Sequence, residues 1–236
     1  MPAPAVNVMK PVAQAAPLTD EVAAQLRAAI LGGDFAPGQK IRQADVARQL
    51  GVSRGPVREA LRSLIAEGLV QDEPRRGTFV AKLSPDDVRE ILDVRVALEV
   101  RAAQLVIANG NVTATVAAMS AVLDDMKDGL RKGDQAQMVA ADVAFHAAHV
   151  AGCDNQRLIR LYAMHSDPVR QLLRMDNGQL FSSRNSNIHG GRQLVDEHQA
   201  ILAELQLGAA GDIAKVVTGH IEDTRDRLIK FLTAGP

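Results

Sequence analysis

Residues 44–70, ADVARQLGVSRGPVREALRSLIAEGLV, hold two short helical patterns separated by Gly51-Val52-Ser53. In the first, Val46, Ala47 and Leu50 recur at helical spacing and form one apolar stripe. Gly51 stands where a helix C-terminus favours a left-handed residue. Ser53 is placed to cap the second helix, its hydroxyl accepting from a free N–H of the first turn. Pro56 falls in that turn, where a missing N–H costs little. Val57, Leu61, Leu64 and Ile65 form the predicted inner face, and Gly68 ends the helix. Arg54, Arg58 and Arg62, spaced at i, i+4 and i+8, occupy the outer face, with Glu59 as a pairing group. A short helix with a cationic outer face, braced by a partner across a tight turn, suits the DNA major groove.

The next residues extend that picture. Leu69-Val70-Gln71 and Thr78-Phe79-Val80-Ala81 flank Asp72-Glu73-Pro74-Arg75-Arg76-Gly77, which predicts a β-hairpin with two arginines at its tip. A basic hairpin behind a helix-turn-helix is a wing, able to touch phosphate or enter the minor groove. In the expected complex Arg48, Arg75 and Arg76 contact phosphate, while Arg54 and Arg58 approach base edges. The bland alternative is a helical hairpin with solvated arginines. The cap, the arginine row and the basic tip together favour DNA.

Ser53–Leu61 (SRGPVREAL), Leu64–Val70 (LIAEGLV) and Arg75–Val80 (RRGTFV), in that order, resemble the DNA-binding domain of the GntR family. The likeness runs from about Leu18 to Val80. It implies that Arg54 and Arg58 contact DNA and that Gly77 approaches the minor groove. It departs at Ala44, where many relatives carry a phosphate-contacting Arg; Arg42 and Arg48 are the nearest substitutes.

At 236 residues the chain fits two domains. Aromatics are only 3% against 47% hydrophobic residues, so the cores rely on aliphatic side chains, which suits helices. The net charge of −1 hides a split: residues 1–82 hold 11 Lys/Arg against 8 Asp/Glu, the remainder 16 against 20. A basic front on an acidic rear suits a DNA reader joined to something else. The single cysteine, Cys153, excludes an intramolecular disulfide framework and fits a reducing cytoplasm. No apolar run reaches membrane-spanning length. Residues 1–17 carry prolines at 2, 4, 11 and 17 and no apolar core, which predicts a flexible tail rather than a signal peptide.

A helix is expected from Leu18 to Ile30, with Thr19 or Asp20 placed to cap it; Pro37-Gly38 belongs to the loop leading into the helix pair. Ser84-Pro85-Asp86-Asp87 is a strong helix start. Beyond it helices are expected near 85–109, 113–131, 134–151, 155–175, 191–207 and 211–232. Residues 176–190 are polar and aperiodic, a long connection. Asp142 and His146 share one helix face. His198 lies beside inward Leu194, Ile201, Leu202 and Leu205, and His220 in the stripe Ile213, Val216, Val217, Thr224, Leu228. Burying such groups unpartnered costs about 1–3 kcal/mol each. A shared divalent ion satisfies all four, and three imidazoles with one carboxylate suit Zn, Ni or Mn. Taken singly each histidine is better read as an ordinary core or surface residue; the four together point to metal. His149 shares the Asp142 face and could displace one ligand, whereas His165 and His189 have no such pattern.

The rear half carries its own resemblance. Asp142–His146 (DVAFH), Gly152–Asn155 (GCDN), Asp196–Leu202 (DEHQAIL), His220-Ile221 and Arg95–Glu99 (RVALE) are similar to the FCD ligand-binding domain of the FadR subfamily. That likeness implies metal ligation by Asp142, His146, His198 and His220, and a small carboxylate effector at or beside the ion. Arg95, on the inner stripe with Ile91, Leu92 and Leu98, is the candidate cationic partner of that effector; a salt bridge to Glu99 is the alternative.

The expected architecture is mainly α: a tail (1–17), a winged helix-turn-helix domain (18–82) and an all-helical bundle of six to seven helices (83–236). The expected function is a metabolite-responsive transcriptional regulator, a cytoplasmic homodimeric repressor of double-stranded operator DNA with no membrane contact. One alternative keeps the reader but makes the metal purely structural. The other, a metal hydrolase, lacks a general base: Glu197, beside His198, is placed off the inner face.

Overall fold

The computed structural model describes residues 18–175 and 190–234. The predicted tail, the connection from 176 to 189 and His189 lie outside the described residues. In chain order the elements are α1 (Leu18–Gly32), α2 (Gln43–Leu50), α3 (Arg54–Ala66), β1 (Val70–Glu73), β2 (Gly77–Val80), α4 (Pro85–Ala108), α5 (Val112–Lys132), α6 (Gln135–Ala151), α7 (Gln156–Met175), α8 (Gly190–Leu207) and α9 (Ala210–Ala234). Among the described residues a winged helix-turn-helix is followed by helices alone, the expected fold class.

Two separate apolar clusters organise the chain. The front cluster joins Val22, Leu26 and Ile30 of α1 to Val46 and Ala47 of α2 and to Val57, Leu61 and Leu64 of α3. Each such aliphatic side chain taken out of water contributes about 1.5–3 kcal/mol. The helix pair is therefore held from behind, with its outer face left to solvent. Ile65 departs from the expected inner face and is 36% exposed. It lies one residue, about 100° of helix, beyond Leu64, at the edge of the stripe.

Gly51 ends α2 at φ +66°, the left-handed cap expected there. Ser53 is the extended N-cap of α3 (φ −74°, ψ 166°), but its side chain makes no cap hydrogen bond. α1 begins at Leu18, so Thr19 and Asp20 lie within its first turn rather than capping it. At α4 the cap is complete: Ser84 N donates to Asp87 Oδ2 (2.7 Å), and Asp87 N donates to Ser84 Oγ (3.2 Å).

β1 and β2 pair antiparallel with Val70 opposite Val80 and Glu73 opposite Gly77. A third edge, expected only as loop, joins them. Gly38 N donates to Val80 O (3.0 Å), Val80 N to Gln39 O (2.9 Å) and Ile41 N to Thr78 O (2.9 Å). Lys40 thereby bridges Phe79, which ties the wing to the segment leading into α2.

The rear cluster is aliphatic with Phe145 and Tyr162, and draws on all six helices, including Leu92, Met119, Phe145, Ile201 and Val217. No described helix is long and apolar enough to cross a membrane.

Candidate DNA interface and candidate metal centre

On α3, Arg54, Arg58 and Arg62 are all exposed, because burying Val57, Ala60, Leu61 and Leu64 turns them outward. Glu59 pairs with Arg62 (3.1 Å) and approaches Arg58 Nε (3.4 Å), the pairing role expected of it. Arg48 pairs with Asp45 on α2 (2.7 Å). Exposed pairs of this kind contribute about 0–1 kcal/mol, so DNA can take these cations over at little cost. Arg27 of α1 clamps Glu67, just past α3, through Nε to Oε2 (2.9 Å) and Nη2 to Oε1 (2.8 Å), which fixes the reading helix against α1.

At the wing tip Arg75 is exposed, with φ +66°. Arg76 pairs with Glu73 and lies over the Phe79 ring, 5.4 Å from its centroid. Gly77 has φ +104°, and a Cβ there would stand 3.3 Å from Lys40 Cε, so the tip requires glycine. Lys40, Arg42, Arg75 and Arg76 line one cleft of about 540 Å³ with Asp72 and Glu73. Lys40 carried no signal in the sequence; only the third strand edge brings it to the wing.

In the helical domain Asp142 and His146 of α6, His198 of α8 and His220 of α9 converge. One ligand atom from each lies within 4.8 Å of every other. All four residues are buried. The Nε2 atoms of His146 and His220 are 3.2 Å apart, and His198 Nε2 is 3.2 Å from Asp142 Oδ1. Metal–ligand bonds of about 2.0–2.2 Å put neighbouring donors roughly 3.0–3.5 Å apart, the spacing of the His146–His220 and Asp142–His198 pairs.

The far nitrogen of each ring is already engaged. His146 Nδ1 meets Glu99 Oε2 (2.7 Å), His198 Nδ1 meets Leu194 O (2.7 Å) and His220 Nδ1 meets Glu197 Oε2 (2.9 Å). Burial works against charge on Glu99, but His146 and Arg95 overcome it and hold its carboxyl well below the usual range. Burial likewise opposes charge on Glu197, but His220 and Arg227 hold it down at about 2. Both carboxylates are acceptors, so the Nδ1 atoms donate to them and the Nε2 lone pairs point at one another. Protonation does not relieve this. Burial, reinforced by Arg95, pushes His146 down to about 3, and burial also lowers His220. His198 Nε2 and Asp142 Oδ2 have no hydrogen-bond partner among the described residues. Electron-rich atoms facing one another in a buried space fit a cation, and the donor set fits a divalent transition metal.

Neither of these two carboxylates carries a sequence signal as a histidine partner. In the sequence Glu99 shows only as an i+4 neighbour of Arg95, and Glu197 is expected off the inner face. Glu197 sits at that edge, yet its side chain reaches across to α9, where Arg227 grips it through Nη1 (3.0 Å) and Nη2 (3.2 Å). Removing a carboxylate that orients a metal-bound imidazole costs about 10–100-fold in metal affinity. Glu197→Gln is expected to weaken metal binding within that range while leaving operator binding by metal-loaded protein unchanged. Competition with a chromophoric chelator measures the first and fluorescence anisotropy the second.

Arg95, the candidate effector contact, is buried with its Nε 2.6 Å from Glu99 Oε1, so the salt bridge forms. Burial opposes charge on Arg95, but Glu99, Tyr162 and Asp142 outweigh it and keep the guanidinium protonated. His149 is buried, but its nitrogens are not among the converging set.

Residues 18–80 match the family described as bacterial regulatory proteins, gntR family, and residues 90–223 match the FCD domain. A protein of Paenarthrobacter nicotinovorans named "probable D-xylose utilization operon transcriptional repressor" is 32% identical over 171 residues, covering 72% of this chain and 74% of that one. The chain belongs to the GntR family. Like other GntR regulators with an FCD domain it is a DNA-binding transcription factor, and the hydrolase alternative falls away. The HTH-type regulator YdhC of Bacillus subtilis (strain 168) is 28% identical over 212 residues, 89% of this chain and 91% of its own. The shared fold is shown by a GntR transcriptional regulator of Rhodococcus sp. RHA1, with a TM-score of 0.72 at 24% identity over 89% of this chain and 97% of that one. McbR/YncC of E. coli superposes comparably, with a TM-score of 0.71 at 21% identity over 92% and 99%.

Proposed function

We propose that this GntR regulator is a metal-dependent, carboxylate-responsive repressor. The observation that carries the reading is the convergence of four buried donors, the Asp142 carboxylate and the imidazoles of His146, His198 and His220, within 4.8 Å of one another, with His198 Nε2 and Asp142 Oδ2 unpaired among the described residues. Asp142, His146, His198 and His220 would hold Zn, Ni or Mn, which would supply Lewis acidity toward a small organic acid. Arg95, kept charged beside the site, gives the anion a second attraction.

On DNA, Arg54 and Arg58 approach base edges while Arg48, Arg75, Arg76 and Lys40 neutralise phosphates. Ser53, freed from capping, offers its hydroxyl to the backbone, and Gly77 lets the wing tip come close. Pro56 stiffens the first turn of the reading helix. Two copies form a homodimer in the cytoplasm and read a two-fold symmetric operator, half-sites one helical turn apart. Two relatives support the sign of regulation: the gluconate operon transcriptional repressor of Bacillus licheniformis and the Paenarthrobacter nicotinovorans protein named as probable repressor of D-xylose utilization.

Effector binding on α6, α8 and α9 shifts packing in the helical domain and so the separation of the two readers. A coupling of about 1–3 kcal/mol is enough to switch occupancy. The test screens small carboxylates by thermal shift, with and without zinc, against operator affinity. A carboxylate that stabilises only the zinc-loaded protein and also changes its DNA affinity supports the reading. A metal that binds while no carboxylate alters DNA affinity makes the ion structural.

A further inference from the structure

Beside the metal centre lies a second buried polar cluster with one member unaccounted for. His149 follows His146 by one turn of α6 and is fully buried. Neither of its ring nitrogens has a hydrogen-bond partner among the described residues. Its closest charged neighbour is Glu99, whose Oε2 lies 3.8 Å from Nδ1, a long electrostatic contact that falls short of a hydrogen bond. Glu99 is also committed elsewhere: Oε1 receives Arg95 Nε (2.6 Å) and Tyr162 Oη (3.4 Å), and Oε2 receives His146 Nδ1 (2.7 Å). An aliphatic side chain at 149 would fill the same space without cost. A buried imidazole that makes no hydrogen bond is destabilising unless a polar group arrives to pair with it.

We propose that His149 recognises the second polar group of the effector, a hydroxyl carried on the chain of the carboxylate. The proposal rests on the metal-and-carboxylate reading above. Charge balance selects the class. Asp142 and Glu99 are anionic, Arg95 is cationic and the ligand imidazoles are neutral, so a divalent ion leaves the buried centre with one positive charge. One carboxylate neutralises it, whereas a second would leave the centre negative. An ammonium group would stand beside both the ion and Arg95. A hydroxyl is neutral and both donates and accepts, so it satisfies the imidazole in either tautomer. The ligand is therefore a hydroxy monocarboxylate.

The experiment uses zinc-loaded full-length protein and calorimetric titration with matched pairs: propionate against 2-hydroxypropionate, and butyrate against 3-hydroxybutyrate. Wild type is expected to prefer the hydroxylated member of at least one pair by roughly fivefold, one net hydrogen bond. His149→Leu should bring that preference within twofold and leave zinc stoichiometry unchanged. It should also raise the melting temperature of the ligand-free protein, because it removes the orphaned nitrogens; a merely structural imidazole predicts a fall. His149→Gln, which keeps a donor and an acceptor, should retain part of the preference and serves where the leucine variant does not fold. Equal binding of both members by wild type, or a preference that survives in His149→Leu, overturns the role of His149 alone. If no probe binds zinc-loaded wild type, the carboxylate reading itself falls and takes this one with it.

Discussion

Replacing Arg58 by alanine is expected to lower operator affinity by about 1–3 kcal/mol, of order ten- to a hundredfold at fixed salt. The size follows from where the side chain stands. Arg58 is 61% exposed on the outer face of α3, and its nearest acidic group is Glu59 at 3.4 Å. That pair contributes little, so almost nothing is lost in releasing the guanidinium to a base edge. Its removal leaves no cavity, because Val57 and Leu61 pack beneath α3 independently of it. Alanine is also a better helix former than arginine, so the fold should hold. The melting temperature should therefore stay within about a degree or two of wild type while DNA binding falls, since surface changes of this kind shift stability by about 0.5 kcal/mol or less. Anisotropy titration of DNA from upstream of the gene and its neighbours, beside a circular-dichroism melt, separates the two. Affinity within twofold of wild type contradicts the assignment.

His198→Ala is expected to abolish tight metal binding. Loss of an orienting group alone costs about 10–100-fold, and loss of the ligand itself exceeds that range. His198 is central to the group: its Nε2 faces Asp142 Oδ1 at 3.2 Å, and its ring packs edge-on against those of His146 (5.0 Å) and His220 (4.6 Å). Phe145 closes the other side, 4.6 Å from the His198 ring centroid. The vacated space therefore lies among rigid neighbours and should not collapse around a smaller cage. Without metal the variant should lose less stability than a core truncation normally costs, because the alanine also removes a lone pair aimed at a carboxylate. Elemental analysis after zinc loading and desalting reads the metal. A variant that retains one tightly held ion per chain contradicts the ligand set.

Much of this was written in local chemistry. The helices of the rear domain start and stop at punctuating residues, such as Ser84-Pro85 and Gly133, whose physics is local, so the periodic patterns between them could be placed. Asp142 and His146 declared themselves because a helix brings i and i+4 together, and His198 and His220 because each interrupts an apolar stripe. What stayed hidden depends on distant segments. Glu99 meets His146 across 47 positions and Glu197 meets His220 across 23, and no periodicity encodes such a meeting. Glu197 misled for a specific reason: helical phase places its Cβ at the edge of the face, but two further carbons carry the carboxylate across to α9. Ser53 shows the opposite failure, a residue with every local mark of a cap whose hydroxyl is not used as one. Lys40 reaches the wing only because residues 38–41 add a strand edge that no alternation announces.

The most direct measurement is a calorimetric titration of zinc into chelator-stripped full-length protein, run beside the His146→Ala/His198→Ala double variant. One saturable site per chain in wild type, absent from the variant, is the predicted result. A wild-type chain with no saturable site, or a variant that binds as tightly, would mean that the buried histidines of the helical domain hold no ion.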